Sequence, residues 1–155
     1  MKKKARVLLI TPNLKGISDG VNRIQPSLGL MLIAPILEKN GHQVKIYDAA
    51  LDGWDKRKII DEKNNIVMIG QDDENIAKVV SNFSPDVVAI SVLFSNLLES
   101  AHQIAKVIKK VNKKIKIILG GNHISSAVQD YKYFKLEKKN KIKNIIIDLE
   151  NDHFD

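Results

Sequence analysis

The stretch PSLGLMLIAPILEKNGHQVKIYD, residues 26–48, predicts a helix, a tight stop and a strand. Pro26 and Ser27 are typical of a helix start, because proline has a suitable fixed φ and a serine hydroxyl can cap free N–H groups. Asn40 and Gly41 are typical of a left-handed helix end, after which VKIYD follows as a strand. The helix is apolar nearly all round, which predicts that more than one of its faces is covered.

Apolar runs on either side of this stretch predict further strands. ARVLLIT at 5–11 and DVVAISV at 86–92 have the unbroken apolar character of parallel strands that are buried on both faces. KIIL at 116–119 and NIIIDL at 144–149 bring the number of predicted strands to five. Amphipathic helices are predicted at 74–83 and 97–111, and a further helix from Asn122 to about Asp130. The alternation predicts an α/β three-layer sandwich with a five-stranded parallel sheet.

Two segments have a weaker pattern. Residues 13–25 form a long polar loop, and loops of this length in a compact domain are usually functional. Residues 49–75 form a variable crossover, in which NIVMIG at 65–70 is a short strand or extended piece. Within that crossover, an interrupted helix could use Leu51, Trp54, Ile59 and Ile60. His42, directly after the helix stop, is expected to help cap the helix end.

The composition is that of one soluble globular domain. The chain has 155 residues, 44% of them hydrophobic and 28% charged. We expect a domain over residues 1–149 and a frayed polar tail over 150–155. No apolar run approaches the roughly 18 residues that a membrane span needs, and the start lacks the features of a secretory signal. Because the chain has no cysteine, it offers no disulfide, thiol nucleophile or iron–sulfur ligand, and a cytoplasmic location is expected.

The net charge of +7 comes largely from a lysine-rich segment at 106–143. Nucleic acid is the first partner that such a charge suggests. However, the charge is almost all lysine, and the segment shows no aromatic-interleaved basic face and no recognisable binding motif, so we do not expect nucleic-acid binding.

Ligands in doubly wound folds bind just beyond the carboxyl ends of the strands. Gly120 and Gly121 follow a predicted strand directly, and their missing side chains let a ligand or another backbone approach closely. If a ligand approaches there, a bulky side chain at Gly121 should block it and leave the fold cooperative. The N–H groups of the next helix, at Asn122 and His123, could hold a phosphate or an amide. Ser91 and Ser95 offer small hydroxyls, although Ser95 alone is more simply a helix cap.

Several familiar sites are absent from the sequence. TPNLKG stands where a dinucleotide-binding fold needs G-x-G-x-x-G, and there is no P-loop. The acidic residues of a receiver domain and the G-x-S-x-G of a serine hydrolase are also missing. No spacing of side chains suggests a metal site formed by the protein.

Four segments together resemble a known arrangement. RVLLITPN, QPSLGLMLIAPILEKNGHQVKIYDA, SPDVVAISVLFSN and IKIILGGNHIS, in that order, are similar to the N-terminal cobalamin-binding domain of cobalamin-dependent radical S-adenosylmethionine enzymes. The resemblance covers about residues 6–128. It implies a Rossmann-like, flavodoxin-type fold, with cobalamin across the carboxyl ends of the strands and its nucleotide tail running into the sheet edge. The cofactor-binding residues that it implies are Thr11, Pro12, Asn13, Gln25, Pro26, Ser27, Ser91, Leu93, Ser95, Gly120, Gly121, Asn122 and His123.

Two departures limit what the resemblance implies. The D-x-H-x-x-G motif that supplies a cobalt-ligating histidine in mutases is absent, so no protein ligand to cobalt is expected. The cysteines of the radical catalytic half are absent too, so this chain cannot hold the iron–sulfur cluster. The expectation is a cobalamin-binding module, whether stand-alone, truncated or part of a split enzyme, that serves a radical S-adenosylmethionine methyltransferase or related catalytic partner. The Leu28–Leu37 helix would be its docking surface.

Two alternatives remain at this point. The N-terminal, acceptor-side half of a two-domain glycosyltransferase also combines an opening strand, a long loop, a helix and a strand such as GHQVKIY. The other alternative is a remnant that folds and binds nothing.

Overall fold

The computed structural model describes residues 4–126. In chain order the elements are β1 (Arg6–Thr11), β2 (Leu14–Ile17), α1 (Leu28–Lys39), β3 (Gln43–Asp48), α2 (Ala49–Asp52), β4 (Arg57–Asp61), β5 (Ile66–Ile69), α3 (Asp73–Phe83), β6 (Val87–Ser91), a 3₁₀ turn (Ser95–Leu97), α4 (Leu98–Val111), β7 (Lys116–Gly120) and α5 (Asn122–Ser126).

Four strands form the parallel sheet, in the order β3-β1-β6-β7. These are the strands predicted at 5–11, 44–48, 86–92 and 116–119, and the predicted α/β sandwich is confirmed. The sheet has four strands, not five, in the described part of the chain. The fifth predicted strand, at 144–149, lies outside the described residues, as do the end of the helix predicted from Asn122 and the frayed tail.

Strand β1 is buried on both faces, as its unbroken apolar run predicts. Leu8 and Ile10 belong to the core that α3 and α4 cover, whereas Val7 and Leu9 pack against α1. The chain therefore winds outward from β1 in both directions. It reaches β3 through α1 on one face, and it reaches β6 and β7 through α3 and α4 on the other.

A second, antiparallel sheet in the order β2-β5-β4 was not predicted. We call it the accessory sheet. The predicted strand at 65–70 is confirmed as β5, but the helical interpretation of Ile59 and Ile60 is wrong because both lie in β4, where Ile59 is opposite Val67. The loop at 13–25 likewise contains β2. These strands have four or five residues each, and their pairing joins segments that are distant in sequence, so local periodicity carries little signal for them.

Helix α1 is less covered than its sequence predicts. Only Leu30 and Ala34 are buried, and among the described residues nothing covers Leu28 and Leu32, which are each 71% exposed. The helix stops at Gly41, with φ +85°, as predicted.

His42 helps to cap the end of this helix, as predicted, but it does so through its backbone and not through its imidazole. Its backbone N–H donates to Leu37 O at 3.1 Å, while Nδ1 accepts a hydrogen bond from the Ala5 N–H at 3.1 Å. The imidazole therefore ties the start of the chain to the end of α1.

Gln71 joins the accessory sheet to the parallel sheet. Its backbone N–H donates to Ala49 O at 2.9 Å, and its Nε2 donates to Asp52 O at 2.6 Å. Its carbonyl accepts from Asn13 Nδ2 and its Oε1 accepts from Lys56 Nζ, both at 2.8 Å. One residue thus connects the segments that follow β1, β3 and α2.

Gly53 packs against the same junction. It is buried, and a Cβ at this position would overlap the backbone of Gly70 and Gln71. The absence of a side chain therefore lets two chain segments touch.

Gly53→Ala should therefore destabilise the protein by about 1–3 kcal/mol, because backbone atoms cannot move aside as a flexible side chain can. Gly29→Ala is the matched control, since Gly29 lies in α1 and a Cβ there meets nothing within 4 Å. That change should stabilise by up to about 1 kcal/mol through helix propensity. Urea unfolding of both variants tests the pair, and equal midpoints would contradict the packing argument.

Candidate functional site

Four residues stand side by side at the carboxyl edge of the parallel sheet. The register places Thr11 opposite Asp48 and Ser91 opposite Gly120, and the pairing of Ile10 with Ile90 makes Thr11 and Ser91 neighbours. The row therefore runs Asp48, Thr11, Ser91, Gly120. Because side chains alternate along a strand, the row faces the same side of the sheet as α1.

The centre of this row is where the winding of the fold reverses. The connections from β1 and β6 leave on opposite faces of the sheet, so the space beyond Thr11 and Ser91 is a crevice. This is the position at which doubly wound folds bind ligands.

Ser27 brings α1 to the crevice. It occupies the N-cap position as predicted, but its hydroxyl makes no capping bond and instead lies 3.4 Å from Ser91 Oγ. The predicted capping role of the hydroxyl is therefore wrong. The first turn of α1 consequently has no side-chain cap, and its N–H groups remain for other acceptors.

The surface below the row is only partly covered. Val88 and Ile90 are fully buried under α3 and α4, whereas Ala89 on the opposite face of β6 is half-buried. Ser91 and Gly120 are half-buried as well. In the described part of the chain, the α1 side of β6 and β7 near the carboxyl edge is thus formed by the small residues Ala89, Ser91 and Gly120, a surface that we call the small-residue trough. It can admit a flat or elongated group from the carboxyl edge.

The structure shows why residue 121 is a glycine, a point that the sequence alone did not decide. It has φ +107°, and a Cβ would lie 2.7 Å from Val92 O. Val92 in turn donates its N–H to Gly120 O at 2.6 Å. The group that approaches Gly121 is thus the backbone of the protein itself. A bulky side chain at Gly121 would strike the Val92 backbone, so we expect it to destabilise the fold as well, and loss of ligand binding in such a variant would not by itself identify a ligand contact.

The start of α5 is also partly occupied by the protein. The His123 N–H donates to Val92 O at 3.2 Å, and the Ser125 N–H donates to Gly121 O at 3.1 Å. The predicted role of His123 in holding a ligand through its N–H is therefore not available in this arrangement. Asn122 is exposed at the first position of the helix.

The other predicted site residues divide into two groups. Pro12 is buried, and Asn13 turns away from the row to donate to Gln71 O. Exposed positions around the crevice are occupied by Gln25, Pro26, Leu93 and Ser95, the last at the start of the 3₁₀ turn. The structure thus brings Thr11, Ser27, Ser91 and Gly120 together and places the exposed group where it can contact a large ligand.

Asp48 was not among the predicted site residues, although it ends β3 in the same row. Its Oδ1 accepts from the Leu51 N–H at 3.0 Å and so caps α2. Burial raises the pKa of its carboxyl, against the lowering effect of the Leu51 N–H. Its position at the end of a strand was the feature of the sequence that could have identified it as a site residue. Ala89 was also missed, because within an apolar run a small residue looks like any other core residue.

The neighbourhood of Asp48 is half-buried and rich in carboxylates. Burial, together with the charges of Asp52, Asp72 and Asp48, raises the pKa of Tyr47 to about 12. The buried Thr11 hydroxyl has no hydrogen-bond partner of standard geometry among the described residues, although it lies close enough to Asp48 to favour the charged carboxylate. A hydroxyl of this kind can bond to a ligand at little cost.

Asp48→Asn should change the pH dependence of stability in a defined direction. Because the folded-state pKa of Asp48 lies above the unfolded value of 3.8, ionisation above that value weakens the native state. Asparagine can keep the cap and does not ionise. The variant should therefore gain stability relative to the parent as the pH rises from about 3.5 to 7, measured by urea unfolding.

Asp61→Asn is the control, with the opposite sign expected. Hydrogen bonds from Asn64 lower the pKa of Asp61, so ionisation there strengthens the native state above 3.8. This variant should lose stability relative to the parent over the same pH range. The same trend in both variants would contradict the environment assigned to Asp48.

Residues 4–126 contain no group of histidine, cysteine or carboxylate side chains that could hold a metal ion. Over the same residues, no helix has the length and apolar character that crossing a membrane requires.

The fold is that of a doubly wound α/β domain, and the row marks a candidate ligand-binding crevice at the carboxyl ends of its central strands. The chain belongs to the B12-binding domain family, whose profile matches residues 15–135. Cobalamin is therefore its cofactor, and the resemblance of the four sequence segments is confirmed.

Two relatives are methyltransferases. The chain is 35% identical over 118 residues to the cytidylyl-2-hydroxyethylphosphonate methyltransferase of Streptomyces wedmorensis, covering 76% of this chain and 22% of that protein. It is 26% identical over 125 residues to the uncharacterized methyltransferase PH0819 of Pyrococcus horikoshii, covering 81% and 23%. The chain thus spans less than a quarter of the length of either relative.

Proposed function

We propose that this chain is the cobalamin-binding module of a radical S-adenosylmethionine type methyltransferase or a related enzyme. The observation that supports the proposal most is the row Asp48, Thr11, Ser91 and Gly120 above the small-residue trough. Small side chains and unused polar groups at a strand edge suit a large cofactor with many amide groups. The B12-binding family and the two methyltransferase relatives support the same assignment.

In this proposal the cofactor lies across the carboxyl edge, and its nucleotide tail enters the small-residue trough. The residues present fit such a group, because the buried Thr11 hydroxyl has no standard hydrogen bond among the described residues and the first turn of α1 has no side-chain cap. Ser27 and Ser91 contact each other only at 3.4 Å, so either hydroxyl can turn to the cofactor. Gln25, Pro26, Leu93, Ser95, Gly120 and Asn122 would flank it.

Bound cobalamin supplies a cobalt centre that can carry a methyl group. The residues of this chain would bind and orient that cofactor and keep water from one of its faces. The loop after β1, TPNLKGISDG, contains no histidine, so a protein ligand to cobalt from this loop is not part of the proposal. No residue of the described chain is assigned a catalytic role.

The catalytic machinery would belong to a radical S-adenosylmethionine domain or subunit. The relatives are more than four times longer than the segment that they share with this chain, which leaves ample length for such a domain in those proteins. The surface that we propose for its docking is the exposed apolar face of α1, formed by Leu28, Met31, Leu32, Ile33 and Ile36. A cytoplasmic setting fits a partner with an iron–sulfur cluster and a chain with no cysteine.

The comparisons give no support to the glycosyltransferase alternative, because the relatives are methyltransferases and the family match is to a B12-binding domain.

Ser91→Leu tests the position of the cofactor. A leucine at the floor of the small-residue trough should fill the space assigned to the nucleotide tail and cost about 1–3 kcal/mol, so hydroxocobalamin should bind roughly ten- to a hundredfold more weakly. The measurement is an absorbance titration followed by desalting. The parent should retain about one equivalent with a shifted visible spectrum.

Ser81→Leu is the matched control, because Ser81 is exposed near the end of α3, at the opposite end of the strands. It should bind hydroxocobalamin like the parent. If Ser91→Leu folds cooperatively and retains the cofactor unchanged, the tail does not lie in the small-residue trough. Loss of colour from the folded parent on desalting would contradict cobalamin binding by this chain alone.

Leu32→Glu tests the docking surface. Leu32 is 71% exposed on α1, so a charge there should leave stability and hydroxocobalamin retention unchanged. It should weaken association with a radical S-adenosylmethionine catalytic protein that lacks its own cobalamin domain by about tenfold or more, since a charge in an apolar interface is costly. Sedimentation of the mixed proteins measures this association. Leu51→Glu is the control, because it makes the same change at an exposed leucine of α2. It should leave the association unchanged. Equal association of both variants would place the interface elsewhere.

A further inference from the structure

A second cavity lies on the other side of the sheet from the small-residue trough. It is a half-open cleft with a volume of about 650 Å³, lined by the accessory sheet, the start of α3 and one face of α4. This volume is within the range of about 300–1,000 Å³ that is typical of small-molecule sites. None of the four residues in the carboxyl-edge row lines it, although Asn13, which follows β1 and turns toward Gln71, does.

Two walls of the cavity carry opposite charges. One wall has Lys56, Arg57 and Lys58, which lead into and form the first part of β4. The other wall is the start of α3, at Asp72, Asp73 and Glu74. Among the described residues no ion pair joins the two walls, although both line the same space.

The carboxylates hold their positions through hydrogen bonds on their own side. Asp72 caps α3 by accepting from the Asn75 N–H at 2.7 Å, and Asp73 accepts from Gln103 Nε2 at 2.6 Å. These bonds fix Asp72 and Asp73, whereas the third carboxylate of the wall, Glu74, forms an ion pair with Lys78 at 2.8 Å on the same helix.

The cations are held without a counter-charge. Lys56 Nζ donates to the neutral Gln71 Oε1 at 2.8 Å, and the Arg57 guanidinium lies over the Trp54 ring at 5.5 Å from its centroid. The two walls therefore present cations and carboxylates to the same cavity.

Apolar groups lie between the charged walls. Met68 and Ile60 of the accessory sheet and Ile104 of α4 supply them. Ser100 is only 3% exposed and lines the same space, and among the described residues the hydrogen-bond partner of its hydroxyl is the Met68 thioether, at 3.5 Å. Sulfur is a weak acceptor, so this hydroxyl is a buried polar group that a ligand can satisfy.

We propose that this cavity binds a small zwitterion of the amino-acid type, with its ammonium toward Asp72 and Asp73 and its carboxylate toward Lys56 and Lys58. An anion alone would be repelled by the start of α3, and a cation alone would be repelled by β4. A ligand with both charges is attracted by both walls, and its apolar body lies over Met68 and Ile104. The proposal does not depend on cobalamin binding.

Three related probes test the charge requirement. L-phenylalanine carries both charges, phenethylamine lacks the carboxylate, and 3-phenylpropionate lacks the ammonium. Each is titrated into the ¹⁵N-labelled full chain, to about 10 mM, which detects affinities in the millimolar range. L-phenylalanine should shift the amide signals of Met68, Glu74 and Gln103 and should bind at least fivefold more tightly than either analogue.

Lys58→Glu should weaken L-phenylalanine binding at least fivefold, because it reverses the charge of one exposed wall residue. Lys39→Glu makes the same change at the end of α1, on the other side of the sheet, and should bind like the parent. The proposal is overturned if L-phenylalanine causes no shifts at the cavity, if either analogue binds as tightly, or if both variants respond alike. Hydroxocobalamin retention, measured separately, reports on the proposed function whichever result is obtained.

Discussion

The burial of β1 on both faces is the constraint on which the rest of the structure depends. Leu8 and Ile10 need cover on one face, and Val7 and Leu9 need cover on the other. One helix layer cannot satisfy both faces, so the chain must send α1 to one side and α3 with α4 to the other. The reversal of winding between β1 and β6 follows, and it opens the crevice at Thr11 and Ser91. The proposed cofactor site is therefore a consequence of how the central strand is buried.

The two faces of the sheet are covered unequally in the described part of the chain. Helices α3 and α4 leave Val88 and Ile90 with almost no exposed surface, whereas α1 buries only Leu30 and Ala34 of its own side chains. The small-residue trough and the exposed apolar face of α1 thus lie on the same side of the domain. A partner that docks on α1 would approach from the side on which the cofactor's tail is proposed to lie. Cofactor binding and docking would then act on the same helix, since Ser27 at its start reaches Ser91.

The parts of the fold that could be predicted from the sequence are those in which the signal is local. The strands β1 and β6 are unbroken apolar runs, and α4 repeats its apolar residues at helical spacing, so each is recognisable from its own residues. The accessory sheet is different, because β2 pairs with a strand some fifty residues later and each strand is too short to show a period. The same distinction applies within the site. The strand ends at Thr11, Ser91 and Gly120 were predictable, but the contact of Ser27 with Ser91 depends on how α1 packs.

The glycines show why a residue type alone does not identify a ligand site. Gly53 and Gly121 are both required because a backbone segment of the protein occupies the space that a side chain would need. At Gly121 that segment is Val92, which follows β6, so this contact fixes the end of β6 against the end of β7. The position of Ser91 in the row then depends on Gly121, although Gly121 need not touch the cofactor. A glycine beyond a strand can therefore support a binding site by holding the strand ends in register. The sequence does not distinguish this role from direct contact with a ligand, whereas the backbone contacts in the structure do.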